Sequence, residues 1–300
     1  MSHTDVHPDS EVTAGEALLV EPSRLSPTRR ALSTVLRSRE LSIFLVLVAV
    51  VVLATTKNDS FLFSSDGWRN FLLNPSILLL LAVGQAVVII TRNVDLSVGS
   101  VMALTAYLTG RLFIEQPGLP IVAVLAACVV VGAVLGVPVL TMVAVVVLVA
   151  VAYYLHTARG GRELYAIGSD PDAAVLYGLA VRRRLLAAFV LSGALAGLAG
   201  ALYTARYGTV SSSVGNGIEL QAVAAAVIGG IAIFGGSGTV WGAAIGAFLL
   251  VTINRALPSL GIEDFWQRAV VGVLILGAIV LDRVLALRQT RKLAESRDHS

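Results

Sequence analysis

The chain has 300 residues, 56% of them hydrophobic and only 14% charged, with a formal net charge of +3 and a mean hydropathy of +0.84. A soluble chain carries about 25% charged residues, so this one has too little polar surface to cover a water-soluble fold of its size. The composition excludes a disordered chain, a nucleic-acid-binding domain and a disulfide scaffold. The single cysteine, Cys128, allows neither an internal disulfide nor a multi-cysteine metal site and reads as a small packing residue.

Residues 1–40 are polar and carry Arg24, Arg29, Arg30, Arg37 and Arg39. They read as a mostly disordered cytoplasmic tail ending in a basic, amphipathic stretch. The apolar run that follows starts too late for a cleaved signal peptide. Apolar runs then cover 41–56, 71–91, 97–114, 118–136, 137–155, 185–205, 220–236, 238–257 and 267–284. Each is close to the roughly 17–25 residues that cross a bilayer. Only helices and closed barrels satisfy the backbone in lipid, and runs this long without alternation are not barrel strands. The expected fold is all-α: a polytopic transmembrane helical bundle of nine segments over 41–284, with a tail at 285–300.

Orientation follows from arginine. The loop 156–184 holds Arg159, Arg162, Arg182, Arg183 and Arg184, and the C-terminal end holds Arg283, Arg288, Arg291 and Lys292. Both are expected in the cytoplasm with the N-terminal tail, and the loops 57–70, 206–219 and 258–266 outside. Parity then fails in one half. The four segments after the loop return the chain to the same side, but the five before it do not. One early segment is re-entrant, or 118–155 is one broken element, or a crossing is missing.

Small residues recur every fourth position: Ser192, Ala196 and Gly200; Gly193, Gly197 and Ala201; Gly238, Gly242 and Gly246. Such rows let helix backbones approach closely in lipid, so these positions are expected to pack helices together.

Polar residues interrupt the apolar pattern at two places. In the stretch 84–100, Gln85, Asn93, Asp95 and Ser97 are candidates for a polar path or its support. A carboxylate at mid-bilayer costs about 2.5–3.5 kcal/mol on insertion scales and usually faces a bundle interior or an aqueous cavity. The plainer alternative is a short turn in which Arg92 and Asp95 are solvated. Glu219 and Gln221 open another apolar run, either as path residues or as ordinary helix capping. Asp95-Leu96-Ser97-Val98 and Glu219-Leu220-Gln221-Ala222 share a pattern of acid, Leu, polar, aliphatic, which is compatible with an internal repeat.

The loop from Gly160 to Gly178 is the most distinctive soluble element. Asp170-Pro171 can cap and open a helix of about two turns. A short helix standing between membrane segments suits docking on a partner; an ordinary structured loop is the alternative. Catalytic motifs are absent. The two lysines, Lys57 and Lys292, do not follow glycine, so there is no phosphate-binding Walker loop, and the four histidines form no His-Glu-x-x-His site. Gly235-Gly236-Ser237-Gly238 resembles a serine nucleophile turn, but no histidine lies in a later apolar run to serve as its base.

Three blocks together resemble the membrane permeases of ABC importers for ribose, xylose, rhamnose and related sugars. They are Asp95-Leu96-Ser97-Val98-Gly99-Ser100; Arg162-Glu163-Leu164-Tyr165-Ala166-Ile167-Gly168 with Ala173-Ala174 and Gly178; and Glu219-Leu220 through Gly230, then Phe234-Gly235-Gly236-Ser237-Gly238-Thr239 and Gly242. The resemblance covers roughly 40–285. Arg92-Asn93-Val94 stands where much of the family has Gly-Gly-Ile, a variant like that of the rhamnose-type branch. The resemblance implies that Asp172, Ala173, Ala174 and Gly178, with Arg162 and Glu163, belong to the segment that couples to an ATPase subunit. It implies an ABC ATPase partner carrying ATP and Mg, an external sugar-binding protein and a second permease copy, with no cofactor on this chain. It also implies a departure: an Asn-Gly element, a membrane segment and an external loop, roughly fifty residues in all, are missing near 136–137.

The expected function is a membrane permease subunit that moves a monosaccharide by alternating access and is not itself an enzyme, in the bacterial plasma membrane with both termini cytoplasmic. The rivals are an ion-coupled secondary transporter relying on Asp95 and Glu219, a membrane-embedded enzyme, and a non-functional deletion product of a permease gene.

Overall fold

The structure is a computed structural model that describes residues 39–115, 138–211 and 213–262, with Trp266, Ala269, Gly272 and Val273. Expectations for residues 1–38, for the segments 118–136 and most of 267–284, for the tail 285–300 and for Cys128 lie outside the described residues. Among those described there are nine α-helices, one 3-10 turn at Asp59–Phe61 and no strand. The helices are α1 (Arg39–Lys57), α2 (Ser65–Ile90), α3 (Val98–Glu115), α4 (Val139–Thr157), α5 (Arg159–Ser169), α6 (Pro171–Leu176), α7 (Val181–Tyr207), α8 (Ile218–Ile228) and α9 (Val240–Ser259).

Five of them are long and apolar enough to cross a membrane: α1, α2, α4, α7 and α9. The all-α polytopic expectation holds. Two segments differ. Helix α3, over the run 97–114, is not among the five. The run 220–236 is not a spanning helix: α8 stops at Ile228, and Gly229 and Gly230 begin a turn that lasts to Gly238. Eleven residues span about 16 Å, half of the roughly 30 Å hydrocarbon core. The composition stayed apolar while the backbone turned, so hydropathy alone overran the helix.

Helix α2 is the axis of the bundle. Apart from Gln85 it is apolar on every face from Ile77 to Ile90, and a helix of that kind is buried all round. It packs against α4, α5, α7, α8 and α9, while α1 packs on α9 and α3 on α7. Small residues set how close these helices come. A Cβ at Gly200 of α7 would lie 2.3 Å from the Met102 carbonyl of α3, and one at Gly246 of α9 would lie 2.1 Å from the Ala225 carbonyl of α8. Gly242 and Gly229 face each other just as closely, and Gly197 rests on Thr105 at an ordinary distance. Gly193 faces open space, and Gly238 sits in the turn before α9.

Contacts fix the direction of each helix. The end of α2 reaches α5, and Gly161 of α5 lies against Tyr154 and Leu155 near the end of α4. Thr141, at the start of α4, reaches the Leu72 carbonyl near the start of α2 at 3.0 Å. Arg206, at the end of α7, bonds Asn74 near the start of α2. Helix α3 runs alongside α7, with Thr204 donating to the Ala106 carbonyl at 2.7 Å and packing on Gly110. So α3 finishes, and α4 begins, at the end of the bundle remote from α5 and α6. The parity mismatch read from the arginines therefore lies between the end of α3 and the start of α4, which are at the same end of the bundle.

Candidate functional site

Asp95 is not solvated. It is 5% exposed and holds a set of donors. One carboxylate oxygen accepts from the Ser97 amide at 3.0 Å and the Ser97 hydroxyl at 2.6 Å; the other accepts from Ser192 of α7 at 2.8 Å. Fully buried Gln85 of α2 donates its side-chain amide to the Asp95 carbonyl. Hydrogen bonds to the charged form offset the cost of burying it. Asp95 also sits just before α3, where a negative charge is favoured by the helix dipole. Asn93 closes the turn, donating to the Thr91 carbonyl at 2.7 Å. Replacing Asp95 with Leu is expected to lower stability by about 3 kcal/mol, because the hydroxyls of Ser192 and Ser97 and the Ser97 amide lose their acceptor at once, while Gln85 keeps the Asp95 backbone. Asp95→Asn, which keeps the shape, is expected to cost less. Thermal unfolding of the detergent-purified chain measures both.

The second acidic run opens a helix too. Glu219 lies half-buried in the first turn of α8, with Gln221 half-buried beside it. A Cβ at Gly99 would lie 2.5 Å from the Glu219 carboxylate and 2.6 Å from the Gly215 carbonyl. The two runs that looked alike in sequence therefore start two helices whose N-terminal ends meet at Gly99.

The loop from α5 to α7 is built from local signals. Buried Gly160, Gly161, Leu164, Ile167 and Gly168 line one side of α5. Asp170 caps α6, accepting from the amides of Asp172 and Ala173 at 3.1 and 3.0 Å, and Pro171 takes the first position. The far end closes with Gly178 at φ 75, its amide donating to Val175 and the Leu179 amide to Ala174. That pattern is a Schellman stop, which requires the left-handed glycine. Ala174 is buried beneath α6, while Val175, Leu176 and Tyr177 project from it, the last two 87% exposed. Asp172 is exposed and Ala173 half-buried. Exposed Arg162 donates to the Thr157 carbonyl at 2.8 Å.

Glu163 joins α5 to α7 through Arg184 and pairs with Arg159 on its own helix. The bond from Arg184 holds its carboxyl below the ordinary range, Arg159 adds to this, and burial opposes both. A lowered folded pKa gives a contribution that is present above the unfolded value, about 4.3, and lost as pH falls through the folded one. The gap in unfolding temperature between the parent and Glu163→Gln is therefore expected to be full at pH 7 and to close below about pH 4.

The second and third blocks singled out in sequence converge in one knot on the end of α2, just ahead of the first block. The Gly236 amide donates to the Ile90 carbonyl at 2.8 Å. Tyr165 donates its hydroxyl to Gly238 at 2.9 Å, and burial raises the pKa of that hydroxyl, keeping it a donor. A Cβ at Gly168 would lie 1.7 Å from the Ile90 carbonyl and 2.6 Å from the Gly236 amide. Arg92 donates to the carbonyls of Gly168 and Ser169. Its φ of 63° costs an L-residue roughly 1–2 kcal/mol, and charge-assisted hydrogen bonds worth about 1.5–3 kcal/mol offset that cost.

The family model described as "Branched-chain amino acid transport system / permease component" matches residues 136–279. The chain is 31% identical to the autoinducer 2 import system permease protein of Enterobacter sp. (strain 638), over 87% of its own length and 91% of that relative's. It is also 31% identical to the ribose import permease protein of Bacillus subtilis (strain 168), over 82% and 93% of the two chains. The D-allose transport system permease protein of Escherichia coli (strain K12) is 26% identical over 81% and 91%. No solved structure matches the chain.

The chain belongs to the permease family of ABC sugar importers. Such a permease is a multi-pass membrane protein and not an enzyme; ATP hydrolysis belongs to a separate ATPase subunit, and a substrate-binding protein works with it. For this permease, sequence reasoning found Asp95 and α6 but missed three things. Ser192 was read only as a packing position. Val175, Leu176 and Tyr177 were passed over, although an apolar tripeptide on a short loop helix was a visible signal. In sequence Arg92 reads as a solvated or variant residue, although an arginine in place of glycine at a turn is a signal of a compensating contact.

Proposed function

We propose that this chain is the translocating subunit of an importer for a monosaccharide of the rhamnose, ribose or xylose class. The observation that carries the reading is α6: a helix capped at both ends, presenting apolar side chains away from the bundle and tied at its base to α2 and to the turn before α9. Docked in a cleft of an ATPase subunit that holds ATP and Mg, it would be moved by nucleotide binding and hydrolysis. The arginines at 159, 162 and 182–184 support a cytoplasmic α5–α6 end, and with it cytoplasmic termini, in a bacterial cell. An external sugar-binding protein delivers the sugar at the opposite end. The sugar passes between two permease copies surrounded by lipid, along a path lined or supported by polar groups that include Gln85, Asn93, Asp95, Ser97, Glu219 and Gln221, and leaves chemically unchanged.

A second reading has its own support: this is a shortened permease lacking one return crossing. Helices α3 and α4 meet 116–137 at the same end of the bundle. The match to the autoinducer 2 permease runs over 313 positions yet uses 87% of a 300-residue chain, so that relative carries positions with no counterpart here. Both readings meet in one experiment. The chain is reconstituted in lipid with the ATPase and binding protein encoded beside it, and rhamnose, ribose and xylose are offered in turn. Stimulation of ATP hydrolysis by one of them names the substrate and shows that the shortened chain couples. An assembled complex that no sugar stimulates supports the shortened, uncoupled permease.

A further inference from the structure

We propose that Arg92 is the positioning residue that carries motion of α6 to the buried Asp95 segment. The proposal rests on the reading of α6 as the element that docks on the ATPase. Among the described residues, Arg92 is the one non-glycine residue with positive φ. Its guanidinium grips the carbonyls of Gly168 and Ser169, the last two residues of α5. The final carbonyls of a helix have no partner within it, and a cation is favoured there. The next residue, Asp170, is the cap of α6. Arg92 therefore holds the joint from which α6 projects.

The other side of Arg92 is equally short. Its amide bonds the Ile89 carbonyl at 2.9 Å, so it remains part of the end of α2. Three residues further on, Asp95 is fixed to α7 through Ser192 and to α2 through Gln85, and α3 begins at Val98. Three residues reach about 10 Å when fully extended, which leaves little slack between the joint and the carboxylate. The Gly236 amide holds Ile90 to the turn before α9, so the end of α2 is braced while the side chain of Arg92 takes the displacement of the joint. Val94 lies between the two and is half-exposed. The link runs from the α5–α6 joint, through the guanidinium, into residues 93–97 and the start of α3.

The test uses the full chain with Cys128 replaced by Ala, assembled in lipid with its ATPase and binding protein. Spin labels at Phe63→Cys and Ala180→Cys, just beyond the apolar tip of α6, report the α6 loop; labels at Phe63→Cys and Val94→Cys report the segment. All three positions are exposed. ATP is expected to shift both distances in the parent. In Arg92→Gly, whose glycine suits the φ of this position, the shift at 180 is expected to remain and the shift at 94 to disappear. Sugar-stimulated ATP hydrolysis is expected to fall about tenfold while hydrolysis without sugar is unchanged. Arg92→Lys, which keeps the charge but not the fork, is expected to restore part of the shift. A shift at 94 that survives in Arg92→Gly overturns the proposal and leaves the docking reading standing. Loss of both shifts in Arg92→Gly also overturns it, because Arg92 would then only support α6. No shift at 180 in the parent overturns the docking reading and the proposal with it.

Discussion

Gly168→Ala is expected to abolish sugar uptake and to lower the unfolding temperature of the purified chain sharply. Alanine is the better helix former, favoured over glycine by roughly 0.5–1 kcal/mol inside a helix, so propensity alone predicts a gain. Packing reverses it. The added methyl would lie 1.7 Å from the Ile90 carbonyl and 2.6 Å from the Gly236 amide, both backbone atoms. A flexible side chain could turn aside; backbone held from both directions cannot. Overpacking of this kind costs about 3 kcal/mol, and relief requires α5 to withdraw from α2 and from the turn before α9. Gly178→Ala is the control: its Cβ would meet nothing within 4 Å, so only the cost of its φ of 75° applies. That cost is roughly 1–2 kcal/mol. Unfolding midpoints in detergent, compared among the parent and both variants, check the order.

The double change Leu176→Asp with Tyr177→Asp is expected to abolish co-purification with the ATPase subunit while leaving folding untouched. Both side chains are 87% exposed, so the bundle loses no burial when they change. In a docked complex they would fill the partner's cleft, and losing such an anchor costs 2 kcal/mol or more, about 30-fold in affinity. Two new carboxylates beside exposed Asp172 add repulsion against any acidic rim. Affinity capture of the ATPase from detergent extracts reads the first effect, and the unfolding midpoint reads the second. Capture that equals the parent's removes α6 as the docking element.

The legible parts of this fold were those set by local chemistry. Apolar runs located α1, α2, α4, α7 and α9, because lipid imposes one rule on every residue of a span. Asp170-Pro171 and Gly178 marked both ends of α6, because caps and left-handed glycines act within a few residues. The length of α8 was not legible. Ala222 to Ile228 and the residues after Gly230 are both apolar, and what separates them is the packing of Gly229 on Gly242, a contact across the chain. The surroundings of Asp95 were legible only in outline. Its neighbours in sequence suggested either a buried path or a wet turn, and the choice was made by Ser192, 97 residues away. The knot at Gly168 was legible only as two separate blocks; that they meet, and meet on the end of α2, is a tertiary fact.

Helix α8 carries a consequence for how this protein is made. A span of roughly 20 apolar residues can leave the insertion machinery on its own, since all its backbone bonds are internal. Eleven residues preceded by the glycine-containing turn at 213–217 cannot, because the turn would offer bare amides and carbonyls to lipid. Ala222, Ala224, Ala225 and Ala226 are fully buried in the finished bundle, so this part of α8 is enclosed by its neighbours and not by lipid. It must be held back until α2, already inserted, and α9, not yet synthesised, can enclose it. Assembly of this permease is therefore timed by the arrival of α9, and a ribosome stalled before residue 240 leaves α8 at the membrane surface.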